Sequence, residues 1–276
     1  MTLFVVLIKK HDTILYDTER MRIDLQTLYE TLLVGYSPCH GFTQVKGHTG
    51  GFYHVVCRHG VTAASKFLTI KESVRDAADL YLSFKHIPLA FLCDTPCGFV
   101  RHLGCRAKEV TEQLWGKFCG CFEEPSLEKS PTTGINVPAL VTSEYRAADK
   151  EMVDPGDTIA HPLTGMTRRY VLGDRFHAAN NPHKSPLCRY HDINLLQQSN
   201  TIKTSYQESE NNRKNVRRLR SSCMQNFSTH YFYNYLMDFY QNEEIVKNQK
   251  ATISKILKPN EELIRDTYMR FIVKER

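Results

Sequence analysis

Between Gly50 and Ile70 apolar and polar positions take a strand-like pattern. "GGFYHVVCRHG" reads as a strand opened by two glycines and closed by His59-Gly60, and "VTAASKFLTI" reads as a second strand that pairs with it, which predicts a hairpin. The period then changes. Val74, Ala77, Ala78, Tyr81 and Phe84 fall on one helical face, Ser73 stands at the N-cap and Asp76 completes an S-x-x-D box, so the spacing predicts a helix that ends near His86 and Pro88. "LAFLC" follows as an apolar run without alternation, as expected of a short strand covered on both faces. Further on, "RRYVLGD" repeats that pattern. Both runs stop at an aspartate, Asp94 and Asp174.

Between them, Glu123 to Gly165 is rich in Pro, Gly, Ser, Thr and charge and reads as an insertion or mobile loop. From Gln198 onward the pattern is mostly helical, and the aromatic run "NFSTHYFYNYLMDFYQNEE" has apolar residues at helical spacing, which favours core packing over a base-stacking platform. The expected class is α/β with a helical C-terminal part, divided at 1–122, 123–168 and 169–276.

Composition narrows the class of function. A hydrophobic content of 41% over 276 residues is enough for a real core, and no internal repeat is visible. Lys and Arg outnumber Asp and Glu, 36 to 30, and the net charge of +6 mildly favours polyanionic partners such as DNA. The opening "MTLFVVLI" is too short to span a bilayer and lacks a small-residue cleavage site, so it reads as a buried strand, with no membrane partner and no small-molecule substrate indicated. Nine cysteines, many near histidines, fit a reducing compartment with thiols and zinc ligands rather than a disulfide framework, which points to nucleus or cytosol.

Three constellations carry chemistry. Asp94 and Asp174 stand just past apolar strands, where α/β sheets place ligand-binding groups, although Asp94 also suits a turn that caps the next helix. Together with a glutamate of the polar stretch "SYQESENNRKNVRRLRSS", Glu208 or Glu210, they make a set able to hold Mg²⁺ or Mn²⁺ for phosphodiester chemistry. The second is "HAANNPHKSPLCRYH", in which His177, His183, Cys188 and His191 are ligand types suited to a structural zinc ion; a surface loop with incidental histidines is the competing reading. Two looser groups, Cys57/His59 and Cys97/His102/Cys105, read as buried thiols and loop histidines. The third is "RKNVRRLR", where Arg213, Lys214, Arg217, Arg218 and Arg220 can meet phosphates or form a solvated helix face.

"LCDTPCGFVRH", "GDRFHAANNPHKSPLC" and "ESENNRKNVRRLRSS", closed by "NF" and a long aromatic helix, together resemble the Kyakuja-Dileera-Zisupton type of cut-and-paste transposase, over about Gly50 to Asn248. The resemblance implies an RNase H-like mixed sheet flanked by helices, with two aspartates and a glutamate binding divalent metal for DNA cleavage and joining. Asp94 matches the strand-end aspartate and Glu210 the helical glutamate, with Glu208 as its neighbour. The first aspartate belongs on the strand before "GGFYHVV", but "LLVGYSPCHGFTQV" contains no Asp or Glu, and Asp174 is left to a structural part or to orienting His177. A site short of one acid holds Mg²⁺ poorly, because each ligand offsets part of the dehydration cost. The expectation is a nuclear, domesticated derivative that associates with DNA or chromatin and has lost catalysis. An active metal-dependent transposase or nuclease, and a zinc-stabilised protein-interaction module, are the alternatives.

Overall fold

The computed structural model describes residues 46, 49–57, 60–141, 160–161, 164–175, 179, 185–202, 204, 227–265 and 271–276. It is a mixed α/β structure of small sheets and helices. Strands β1 (Gly51–Val56) and β2 (Thr62–Leu68) pair antiparallel, as the alternation predicts. The turn between them is closed by hydrogen bonds from Gly60 N to Cys57 O and from Cys57 N to Val61 O, each 2.9 Å.

Helix α1 (Val74–Ser83) follows, with Ser73 at its N-cap. Asp76 Oδ2 accepts from Ser73 N at 3.0 Å and from Ser73 Oγ at 2.8 Å, so the box read in the sequence is formed. The same carboxylate receives Lys66 Nζ at 2.7 Å, which fastens β2 to the helix. Lys66 also pairs with Asp79, which Arg106 reaches from the next helix.

Asp76 is 3% exposed. Asp76→Ala removes the cap partner and the buried half of the Lys66 pairing, leaving Lys66 only Asp79, and we expect it to cost about 2–3 kcal/mol in urea unfolding. Burial opposes ionisation of Asp79, but its bonds to Lys66 and Arg106 outweigh that and hold its carboxyl below the usual range. A depressed folded pKa means that this stabilisation is complete above the unfolded value, about 3.9, and is lost as pH falls through the lower folded value. Asp79→Asn should therefore flatten the acid limb of the stability profile and leave its shape near neutrality unchanged.

Strand β3 (Ala90–Cys93) pairs in parallel with β4 (Tyr170–Gly173), in the register Ala90–Tyr170, Phe91–Val171, Leu92–Leu172 and Cys93–Gly173. Successive side chains of this pair enter two different cores. Phe91, Cys93 and Val171 join Ala77, Ala78 and Tyr81 of α1, and Phe99, Val100, Leu103, Leu114 and Trp115 of helices α2 (Pro96–Arg106) and α3 (Lys108–Leu114). Tyr170 and Leu172, with Ala90 and Leu92 packed against them, face Phe122, Val137, Leu140, Ile193, Leu195 and Leu196. Covering on both faces is why "LAFLC" does not alternate.

The segment 123–168 enters the second core at its beginning. The short helix α4 (Pro138–Val141) brings Leu140, Val137 precedes it, and Ile135 forms a parallel bridge with Leu196.

The C-terminal part differs from the helical expectation. A long helix, α5 (Phe227–Ser254), is present, but the chain then forms an antiparallel hairpin of β5 (Glu261–Arg265) and β6 (Phe271–Glu275). The β-branched residues of "EELIR" and "FIVKE" account for it: Ile264 pairs with Ile272 and Leu263 with Val273. Core packing is also not the state of the aromatics resolved on α5: Tyr235, Phe239 and Tyr240 are 54%, 51% and 63% exposed. The helix is held instead by Asn242, whose side chain accepts from Thr62 N at 2.9 Å and donates to Thr62 O at 2.8 Å.

Candidate functional site

Because Cys93 and Gly173 are register partners at the last rung of a parallel ladder, Asp94 and Asp174 leave that ladder side by side. The N-cap position of α2 is Thr95, which makes no side-chain cap hydrogen bond, Pro96 stands in the first turn, where the missing N–H costs nothing, and Asp94 lies one residue before the cap. Asp94 is partly buried on the turn between strand end and helix start.

The surroundings are negative. The buried Cys93 thiol is pushed well above its ordinary pKa, first by burial and then by the charges of Asp94, Asp174 and Glu72, against which a backbone hydrogen bond at Thr95 works. The Tyr53 hydroxyl, reaching over from β1, is raised by burial and by Glu72, Cys93 and Asp94. Both groups stay protonated near neutrality. The strand ends therefore present carboxylates flanked by neutral donors, a field that attracts a cation and offers no thiolate or phenolate nucleophile. Among the described residues, no group of three or more His, Cys, Asp or Glu side chains is placed so that it could hold a metal ion.

Glu208 and Glu210, and the cations Arg213, Lys214, Arg217, Arg218 and Arg220, lie outside the described residues, as do His177 and His183. Cys188 and His191 are both buried on one 3-10 helix, Pro186–His191. The side chain that meets His191 comes from a position absent from the sequence-level zinc set. Cys121 Sγ lies 3.5 Å from His191 Nδ1 and 3.6 Å from Nε2, and Nδ1 is 2.8 Å from Val171 O. The signal was present as "CGC", Cys119 to Cys121. Its partner pair lies some seventy residues along the chain, a separation that spacing alone does not bridge. Cys105 is a buried thiol of α2, as expected of that group, but His102 is fully buried on the same helix rather than a loop histidine.

Gly120 ties this corner to β4. It has φ +77°, its carbonyl accepts from Val171 N at 2.8 Å, and a Cβ there would stand 3.1 Å from Val171 Cβ and Cγ2. We expect Gly120→Ala to lower stability by about 1–3 kcal/mol in chemical denaturation, through left-handed strain and overpacking together.

No family model matches the chain, and no solved structure matches it. Among curated proteins, human HMG domain-containing protein 3 is similar, 29% identical over 253 residues, which is 91% of this chain and 19% of that protein. The two are related, and the chain spans about a fifth of the length of this relative. Among the described residues no helix is long and apolar enough to cross a membrane.

Proposed function

We propose that the chain is a transposase-derived, RNase H-like domain that associates with DNA or chromatin in the nucleus and has lost strand transfer. The observation that carries this reading is the side-by-side exit of Asp94 and Asp174 from one parallel strand pair. That arrangement suits a divalent ion held beside a phosphate, and it stands at the carboxyl edge where such sheets keep their sites. The cationic excess and the relative named for an HMG domain, a module of minor-groove DNA binders, support the DNA partner.

The order of elements supports the loss of strand transfer in this reading. A hairpin, a helix and then β3 is the order in which β3 carries the second carboxylate of the RNase H-like plan, and the first then belongs to a preceding strand. Between Leu32 and Val56 there is no Asp or Glu. Asp174 brings a carboxylate to Asp94 from the following strand instead. Two adjacent acids hold one ion; two-metal transfer needs one ion on the attacking oxygen and another on the leaving oxygen.

The same adjacency favours a second reading. With Glu210, the pair Asp94 and Asp174 would complete three acids and an active metal-dependent enzyme using Mg²⁺ or Mn²⁺. DNA binding measured by fluorescence anisotropy across a salt series tests the shared premise. Affinity should fall with a slope of about −0.9 per phosphate contact in log K against log salt. Absent or salt-insensitive binding would leave a protein-interaction module in its place.

A further inference from the structure

We infer that Arg101, buried on α2, is the anchor of a phosphate-binding site in which its guanidinium takes the oxygens of a bound phosphate group. The inference stands apart from the proposed function, because a free phosphate would satisfy Arg101 as well as one carried by DNA.

Arg101 is 5% exposed, and its Nε is sealed from solvent with no hydrogen-bond partner. Among the described residues no carboxylate pairs with it. A buried Asp or Lys can relieve its position by changing protonation, but a guanidinium keeps its charge at every pH at which a protein folds. A buried cation without a counter-charge is therefore among the most costly arrangements a fold can hold.

Other covered arginines of the chain are treated differently. Arg169, 3% exposed, gives Nε to Ile87 O at 3.1 Å and Nη1 to Met166 O at 2.5 Å. Arg168 gives Nη2 to Cys121 O at 2.7 Å, and Arg175 gives Nε to Asn194 Oδ1 at 3.0 Å and Nη1 to Ile202 O at 2.9 Å. Arg168 and Arg169 stand in the irregular segment before β4 and reach carbonyls outside helices. Arg101 lies in the middle of α2, where the nearby carbonyls are spent on the helix's own N–H groups. Its partner has to come from elsewhere.

The neighbouring side chains do not supply the charge. Cys105 follows one helical turn on, and burial pushes its thiol up to about 11 against the pull of Arg101, so no thiolate forms near neutrality. Asp79, which α1 turns toward the end of α2, is taken by Lys66 and Arg106. With Nε closed off, a ligand meets the guanidinium at its Nη end. A phosphate suits so narrow an approach, because two of its oxygens take the planar fork while the others keep their water. The apolar residues buried on the same helix, Phe99, Val100 and Leu103, lower the local dielectric and strengthen the pair once it is made.

The test is thermal unfolding of the whole chain in inorganic phosphate, with sodium chloride adjusted to hold the ionic strength constant. The wild-type midpoint should rise with phosphate and saturate, by mass action on a site of the folded state, and acetate should not reproduce the rise. Arg101→Met should abolish it. Should that variant fail to fold, Arg101→Lys keeps the charge, loses the fork and should need at least tenfold more phosphate for the same rise. Fluorescence anisotropy with a short duplex separates the two sources: a site for DNA phosphate loses about one unit of salt slope in Arg101→Lys, and a site for free phosphate leaves duplex affinity unchanged. A wild-type midpoint indifferent to phosphate, or a rise that is the same in wild type and Arg101→Lys, would overturn the inference. So would a stability coupling in phosphate-free buffer between Arg101→Lys and Glu208→Gln or Glu210→Gln, which would give Arg101 a carboxylate of its own chain.

Discussion

Phe99→Ala is expected to lower the unfolding free energy by about 3–5 kcal/mol, enough to unfold a marginal domain. Phe99 is fully buried and lies at the centre of an aromatic cluster. Its ring stacks on Phe91 at 5.0 Å, meets Tyr81 edge-on at 5.3 Å and approaches Trp115 at 6.2 Å. Truncation opens a cavity that three rigid rings from α1, β3 and the end of α3 cannot collapse to fill, and the edge-to-face contact is lost with it. The same change also loosens α2, whose first turn follows Asp94, so the acid pair should lose its fixed spacing. Chemical denaturation followed by Trp115 fluorescence reads the effect, and a loss below about 1 kcal/mol would mean that this cluster is not the core's keystone.

Changing Arg213, Lys214, Arg217, Arg218 and Arg220 together to Gln should weaken DNA binding by about 100-fold or more at moderate salt and reduce the salt slope by about 4–5. The reason is counter-ion release: each cation that meets a phosphate frees condensed ions, and five such contacts account for most of what a chain with a net charge of only +6 can gain. Fold stability should be nearly unchanged if "RKNVRRLR" is a solvated face, so anisotropy and thermal unfolding together separate a lost contact from a lost fold. An unaltered slope in this variant would move the phosphate contacts elsewhere on the surface.

Local chemistry was readable from the sequence wherever the partners are close along the chain. The β1–β2 hairpin follows from alternation, the α1 cap from Ser73 and Asp76, and β3 and β4 from short apolar runs ending at Asp94 and Asp174. What the sequence could not give is which runs pair. That β3 and β4 are ladder neighbours makes Asp174 the companion of Asp94, whereas chain order alone had looked for an acid upstream. The Cys121–His191 meeting is of the same kind, since the two stand 70 positions apart and spacing carries no trace of it. The C-terminal hairpin was missed for another reason: short strands after a long helix lie under the helical periodicity, and Ile264, Ile272 and Val273 gain their pairing only when the two segments meet. The aromatics of α5 were assigned to a core because their spacing is helical, but spacing says that residues share a face, not that the face is covered.

The relation between binding and catalysis is the centre of the functional proposal, and one incubation tests it. Purified chain is mixed with supercoiled plasmid and with pre-cut DNA ends in Mn²⁺, and the products are resolved on a gel. The expected result is retarded DNA with the plasmid still supercoiled and the ends unjoined, because in the proposed reading Asp94 and Asp174 would hold at most one ion where two are required. Nicking or joining that disappears in both Asp94→Ala and Asp174→Ala would contradict it and make the strand-end pair a working active site.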